Sequence, residues 1–415
     1  MKYQSVKGTV DLLPAETEYI SYLRENIKST FLRYGYRMID LPVLENAEVF
    51  LRGLGQETDI AGKQLFRISG REGICLRPEG TAQVVRSCVQ HNNFETAGRT
   101  NKLFYIGAMF RGERPQKGRQ RQFHQAGAEA IGGRSPALDA EIIKLAYDIL
   151  ISCGLQPEKD FLLEINTLGS FSDKKKFEIY LRESYRPIKD RLCDLCSDRY
   201  DKNILRLLDC KNPGCRELAE NINLDNSWLS KESADYYSEV LSYMDKLDIK
   251  GYRSDPALVR GLDYYTDTVF EFTTGHLGAQ SAVCAGGRYD GLVGELGGKP
   301  APCCGFALGL ERLMLMPINK PQEKTLKVLV AYAQESNFEH AYLLLNTLRE
   351  NEIEADIDYS CASLKSQLKY SQKRNVENVL IAGDEEIRKG IYILRNMKES
   401  SQEELTLEKI INKLR

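Results

Sequence analysis

The chain has 415 residues, enough for two or three domains with sizeable cores, which excludes a peptide-sized or single small-module function. Its 42% hydrophobic and 28% charged content is that of a globular protein rather than a disordered or fibrous one, and no apolar run approaches the ~20 residues that span a bilayer. With 57 basic against 59 acidic side chains the net charge is -2, which argues against a uniformly basic nucleic-acid-coating protein but leaves room for a local basic site.

The opening MKYQSVKGTVDLL has no continuous apolar stretch of the signal-peptide kind, so a cytoplasmic location and no membrane partner are expected. From Glu16 to Tyr34, Ile20, Leu23, Ile27 and Phe31 recur at helical steps until Gly35 stops them, and Tyr36–Pro42 then alternates like a strand end. Two extended runs, Leu103–Phe110 and Gln122–Ile131, flank Arg114-Pro-Gln-Lys-Gly-Arg119 and predict a long hairpin with a basic tip. Residues 172–250 are charged and helix-rich, an inserted subdomain carrying Cys193-x2-Cys196-x13-Cys210-x4-Cys215. Extended sequence returns at Leu258–Phe272 and Ala282–Gly291, and Gly305–Arg312 leads into a short apolar helix. Pro317–Lys324 has a linker's composition. Beyond it, strand (Lys327–Tyr332), helix (Glu339–Asn351), strand (Ile353–Tyr359), helix (Leu364–Arg374) and strand (Val379–Ala382) alternate as in a separate α/β domain.

The eleven cysteines are odd in number and unevenly spread, which favours free thiols over a disulfide framework. The chain contains no HExxH, G-x-S-x-G or P-loop pattern, so zincin, α/β-hydrolase and P-loop readings lapse. Chemistry concentrates instead between Arg99 and Arg121, where seven basic residues stand against the single acid Glu113. Guanidinium forks on a rigid hairpin suit phosphates or a carboxylate, and a polyanionic ligand is the expected partner.

Six blocks, in order, resemble the histidyl-tRNA synthetases, a family of class II aminoacyl-tRNA synthetases. Gly35–Glu45 (GYRMIDLPVLE) resembles motif 1, which in the family builds a dimer interface; Leu76–Thr81 (LRPEGT) and Met109–Gln125 (MFRGERPQKGRQRQFHQ) resemble the LRPEGT block and motif 2. Arg260–Tyr265 (RGLDYY) and Ala285–Gly291 (AGGRYDG) resemble the two histidine-specific signatures, and Gly305–Arg312 (GFALGLER) resembles motif 3. The resemblance implies an α+β fold: a class II antiparallel sheet flanked by helices over residues 1–320, a helical insertion at about 172–250, and a C-terminal α/β anticodon-binding domain at 326–415. It also implies a homodimer that activates L-histidine with ATP and Mg2+ and transfers it to the 3′ end of histidine tRNA.

The same resemblance carries residue roles. Arg111 would bridge the α-phosphate and the substrate carboxylate, and Arg260 would add positive charge on the carboxylate side; these two are the catalytic pair. Arg119 and Arg312 would hold the phosphate tail, Phe123 would stack on adenine, and Glu113 would sit near the adenine edge. For histidine, Glu79, Thr81 and Gln125 match the positions that receive the α-amino group, Glu129 and Tyr265 those that face the imidazole, and Tyr289 lines the pocket. Lys7 stands where the family commonly has arginine, and Gly112 replaces a bulkier motif 2 residue.

For tRNA, Lys117 at the hairpin tip and Lys365, Lys369 and Lys373, at four-residue steps on one helix face, are the candidate contacts. Residues 326–415 carry 13 basic and 15 acidic side chains, so composition alone reads that stripe equally as a solvated face. The four insert cysteines fit a structural zinc site or four reduced thiols, and the spacing leaves both open. The rival function is the synthetase-like regulatory subunit of ATP phosphoribosyltransferase, a histidine-sensing module, opposed by intact motif 2 arginines and by the domain after Arg312; a catalytically silent scaffold would need an eroded ATP site.

Overall fold

The computed structural model describes residues 3–54, 64–91, 99–278, 281–321, 325–360 and 362–415. Residues 322–324 of the expected linker and Cys361 lie outside them. The chain divides into two compact units, Met1–Pro321 and Gln322–Arg415. Among the described residues no helix is long and apolar enough to cross a membrane.

The first unit contains β1 (Arg37–Met38), β2 (Leu44–Asn46), β3 (Ile74–Leu76), β4 (Asn101–Phe110), β5 (Gln122–Ile131), β6 (Leu162–Thr167), β7 (Tyr252–Ser254), β8 (Thr266–Thr273), β9 (Ala282–Arg288) and β10 (Cys303–Gly309). Eight of them form one sheet in the order β1-β4-β5-β10-β9-β8-β6-β7, antiparallel from β4 through β6 with a short parallel strand at each edge. This order sets motif 2, motif 3 and the second histidine signature side by side although some 180 residues separate them in sequence.

Alternation along β5 sorts the two faces. Ala126, Ala128 and Ala130 turn into a core with Phe104 and Phe306, covered by the helices Pro14–Arg33 and Pro136–Ser152. Phe31 of the first helix stacks on Phe104 at 4.7 Å and lies 6.1 Å from Phe306. Gln125, Gly127 and Glu129 occupy the opposite face, where Gly107, Ala307, Gly305 and Gly287 stand beside them in register, and the glycines let the side chains of Arg77, Tyr105, Glu129 and Tyr265 lie close over the sheet.

Several expected strands are shorter than their sequence pattern: Ile353–Tyr359 pairs only at Ala355–Ile357, and two runs of the first unit are cut short by side chains that take their backbone carbonyls. The Tyr36–Pro42 run pairs only at Arg37–Met38, because the Leu41 and Pro42 carbonyls are taken by the Arg77 guanidinium (2.6 Å) and the Gln83 amide (2.9 Å). The Leu258–Phe272 run enters the sheet only at Thr266. Before that, the Asn166 amide binds the Leu258 carbonyl at 3.0 Å and the Lys174 ammonium binds those of Asp263 and Tyr265 at 2.6 and 3.0 Å, so this backbone is satisfied without a ladder.

The 172–250 segment is helical, with helices Phe171–Tyr185, Asp194–Lys202, Pro213–Glu220 and Lys231–Lys246. The last of these places Val240 and Met244 in the core beneath the sheet.

In the second unit, β11 (Val328–Tyr332), β12 (Ala355–Ile357), β13 (Asn378–Ala382), β14 (Ile391–Asn396) and β15 (Gln402–Thr406) form a sheet ordered β12-β11-β13-β14-β15. The alternating elements read from the sequence are present, and the pairs β13–β14 and β14–β15 add an antiparallel half that the α/β pattern did not announce.

Candidate active site

The motif 2 hairpin brings its charged groups together. The Arg111 guanidinium lies over the Phe123 ring, 5.1 Å from its centroid, and donates to the Pro78 carbonyl at 2.9 Å. Arg119 pairs with Glu113 at 3.1 Å. From motif 3, Arg312 reaches the hairpin through the Gly118 carbonyl at 3.2 Å and also bonds the Ala282 carbonyl. Burial, followed by repulsion from Arg119 and Arg111, pulls the Arg312 pKa down to about 10. Three guanidinium groups held this close, with part of their hydration removed, form a site for an anion of high charge.

Beside them, Arg260 pairs with Glu271 of β8 at 2.6 Å. Burial acts to lower its pKa, and the Glu271 carboxylate reverses the sign and leaves it raised. The Arg260 Nε is buried without a hydrogen-bond partner, as is the Gln125 Oε1. One is an unsatisfied donor on a cation, the other an unsatisfied acceptor; a zwitterion carries the complementary pair.

Deeper on the same face, Glu129 is fully buried. It accepts from the Thr81 hydroxyl at 2.6 Å and from the Tyr289 hydroxyl. Burial pushes its pKa up to about 8, against the pull of these two hydrogen bonds. Glu79, also buried, accepts from the Thr81 and Ala82 backbone N–H groups at 2.7 and 3.0 Å, closing the start of the helix Thr81–His91, and burial raises its pKa too. Tyr265 stands edge-on to Tyr289 with ring centroids 6.4 Å apart.

Glu79, Thr81, Glu129, Tyr265 and Tyr289 thus converge at one place and Arg111, Glu113, Arg119, Phe123 and Arg312 at a neighbouring one. Lys117 is exposed at the hairpin tip, and Lys365, Lys369 and Lys373 are exposed on the helix Leu364–Lys373 of the other unit. At the two departures from the family pattern, Lys7 is exposed and offers its carbonyl to Arg121 at 3.1 Å, while the Gly112 N–H bonds the Gln64 carbonyl at 2.7 Å.

The sequence reading missed several members. Tyr264 packs between Tyr265 and Tyr289, at 4.6 and 5.4 Å, and its place in RGLDYY could have flagged it. Glu311, next to Arg312, accepts from the His124 N–H and ring Nδ1, at 2.9 and 2.8 Å, and pins motif 3 to motif 2. Glu271, Lys174 and Asn203 carry no local signal: Lys174 and Asn203 are defined by partners 60 to 91 positions away, and Glu271 meets Arg260 only because the intervening loop folds back on β8.

A family model described as histidyl-tRNA synthetase matches residues 8–171 and 190–313, and one described as an anticodon binding domain matches 315–415. The chain belongs to the histidyl-tRNA synthetase family. It is 40% identical to the histidine–tRNA ligase of Desulfitobacterium hafniense, over 98% of this chain and 96% of that one. The histidine–tRNA ligase of Halothermothrix orenii is likewise 40% identical, over 100% and 99%. Among solved structures, the apo S. aureus histidyl-tRNA synthetase superposes with a TM-score of 0.81 at 32% identity, covering 99% of each chain. A Bacillus halodurans protein described as an ATP phosphoribosyltransferase regulatory subunit/histidyl-tRNA synthetase superposes at 0.64 with 21% identity over 92% of this chain and 99% of that one, a likeness of fold alone. This histidyl-tRNA synthetase family member is a ligase of the class II kind and uses ATP, with an anticodon-binding domain at its C-terminal end.

Proposed function

We propose that the face of the sheet bearing Arg111, Gln125, Glu129 and Arg260 binds histidine and ATP and joins them as histidyl-adenylate, which is then transferred to the 3′ end of histidine tRNA. The observation that carries the residue assignment is the pair of orphaned groups: Gln125 Oε1 is an acceptor ready for an ammonium, and Arg260 Nε is a donor ready for a carboxylate. In the first step a histidine carboxylate oxygen attacks the α-phosphorus and pyrophosphate leaves. Negative charge grows on the phosphoryl oxygens, and Arg111 and Arg260 face it from a pocket with reduced screening. Arg119 and Arg312 hold the departing phosphates, Phe123 stacks on adenine with Glu113 near its edge, and Glu79, Thr81 and Gln125 receive the α-amino group. Glu129 and Tyr265 meet the two imidazole nitrogens, one a donor and one an acceptor, with Tyr289 closing the pocket.

Mg2+ would neutralise phosphate charge when bound. Glu271 offers the hard oxygen ligands that ion takes, and both it and Glu113 lie near enough to Arg312 to raise its pKa against burial. In the second step the ribose hydroxyl of the tRNA attacks the adenylate carbonyl and AMP leaves, so no protein nucleophile is needed.

The reading takes residues 1–320 as the catalytic domain and 326–415 as the anticodon-binding domain, with Lys117, Lys365, Lys369 and Lys373 contacting tRNA, in a cytoplasmic homodimer. Support for the dimer is the exposed apolar surface of the motif 1 region: Met38 is 53% exposed and Leu44 54%. Sedimentation of the full chain tests that part. The decisive experiment is ATP–pyrophosphate exchange with each of the twenty amino acids. Histidine alone should support it; exchange with another amino acid and none with histidine would overturn the specificity.

A further inference from the structure

Among the described residues, four cysteines of the insert form the one group arranged to hold a metal ion: the Sγ atoms of Cys193, Cys196, Cys210 and Cys215 all lie within 4.8 Å of one another. Cys193 and Cys210 are 3.9 Å apart at sulfur. Four sulfurs at a Zn–S distance of about 2.3 Å stand roughly 3.8 Å apart at the corners of a tetrahedron, whereas a disulfide requires about 2.05 Å. All four are free thiols. The surrounding backbone already bonds the sulfurs as it does in thiolate metal sites: the Cys193 N–H donates to Cys215 Sγ at 3.3 Å and the Asn212 N–H to Cys210 Sγ at 3.4 Å. Cys193 and Cys196 stand at the start of the helix Asp194–Lys202 and Cys215 in the first turn of Pro213–Glu220, so local helical structure presents three of the four sulfurs to one point.

The cluster also sits where it can matter for the histidine pocket. Asn203, between the two cysteine pairs, donates from Nδ2 to Asp263 Oδ1 at 2.6 Å, and Asp263 belongs to the loop running from Arg260 to Tyr265. From the preceding helix, Lys174 grips the same loop by the Asp263 and Tyr265 carbonyls. Cys196, Cys210 and Cys215 share one continuous apolar core with Tyr264, Tyr265 and Tyr289.

We propose that Cys193, Cys196, Cys210 and Cys215 bind one zinc ion as a tetrathiolate, with loss of the four thiol protons, and that the metal fixes the insert so that Asn203 holds the loop presenting Tyr265. Asn203 is a positioning residue: it touches no substrate and acts through Asp263. This second half rests on the assignment of Tyr265 to the histidine pocket.

The test begins with metal analysis of untagged full-length protein purified without chelator. One zinc per chain is expected, and cobalt substitution should give the intense visible bands of tetrahedral thiolate coordination. Substoichiometric zinc together with four thiols that titrate freely in the folded protein would overturn the site, and the cobalt spectrum decides it even where Cys210→Ser fails to fold. Asn203→Ala should keep its zinc yet raise the KM for histidine in pyrophosphate exchange about tenfold, with the KM for ATP moving less than about twofold. An unchanged histidine KM in that variant would overturn the coupling. Wild-type protein that holds zinc and exchanges with no histidine would instead break the pocket assignment and leave the metal site standing.

Discussion

Glu129 on β5 lies directly across the ladder from Gly305 on β10, and its carboxylate fills the place where a side chain at 305 would begin. A Cβ there would run into both Glu129 Oε2 and the Ala128 carbonyl. The glycine that opens the motif 3 block therefore helps to shape the proposed histidine pocket, because it lets a buried carboxylate turn toward Thr81 and Tyr289.

Gly305→Ala should cost about 1–3 kcal/mol of stability, the usual penalty for forcing atoms into a packed interior. The displaced Glu129 should raise the KM for histidine more than that for ATP. Urea melts and pyrophosphate exchange on the same preparation measure both, and a variant with wild-type stability would mean that the Glu129 carboxylate stands elsewhere.

Glu129→Gln should impair histidine use with a smaller effect on ATP binding, checked by calorimetry on folded protein; equal losses in both affinities would contradict the division of labour. The substitution should also change the pH dependence of stability. Burial raises the folded-state pKa of Glu129 from 4.5 to about 8, so the folded protein retains a proton that the unfolded chain releases. Stability from that proton is fully present below about pH 4.5 and is lost as pH rises through about 8. The melting temperature of the glutamine variant relative to wild type should therefore climb across this interval.

Arg111→Ala and Arg260→Ala should each slow adenylate formation roughly a hundredfold, about 3 kcal/mol of lost charge stabilisation. Arg260→Ala also strands Glu271, its 2.6 Å partner, so circular dichroism should accompany the kinetics. Unchanged single-turnover rates in both variants would remove the catalytic assignment.

A chain ending near Lys320 should keep histidine-dependent pyrophosphate exchange and lose most tRNA charging. The two compact units have separate apolar cores, and exchange needs only small ligands, whereas transfer relies on remote tRNA contacts to hold the acceptor end in place. Full charging efficiency by the shortened, folded protein would end the anticodon role proposed for the last domain.

The family, the long hairpin and the identity of the charged groups are legible in the sequence because motif 2 is local: Arg111, Glu113, Arg119 and Phe123 fall on one hairpin and need no distant partner to be recognised. Helical spacing in Pro14–Arg33 and the alternation of the last domain were legible for the same reason. Tertiary structure alone decided what is paired across the sheet or between loop and insert. The Glu129–Gly305 approach, the Arg260–Glu271 pair and the hold of Lys174 and Asn203 on the Tyr265 loop join residues 11 to 176 positions apart. The same loop read as a strand because Tyr264 and Tyr265 have strand-like composition, but side-chain donors satisfy its carbonyls and release it from the ladder. Local pattern reports propensity and chemistry; burial, and the pKa of about 8 that it gives Glu129, arises only when β5, β10 and the Thr81 helix close around one carboxylate.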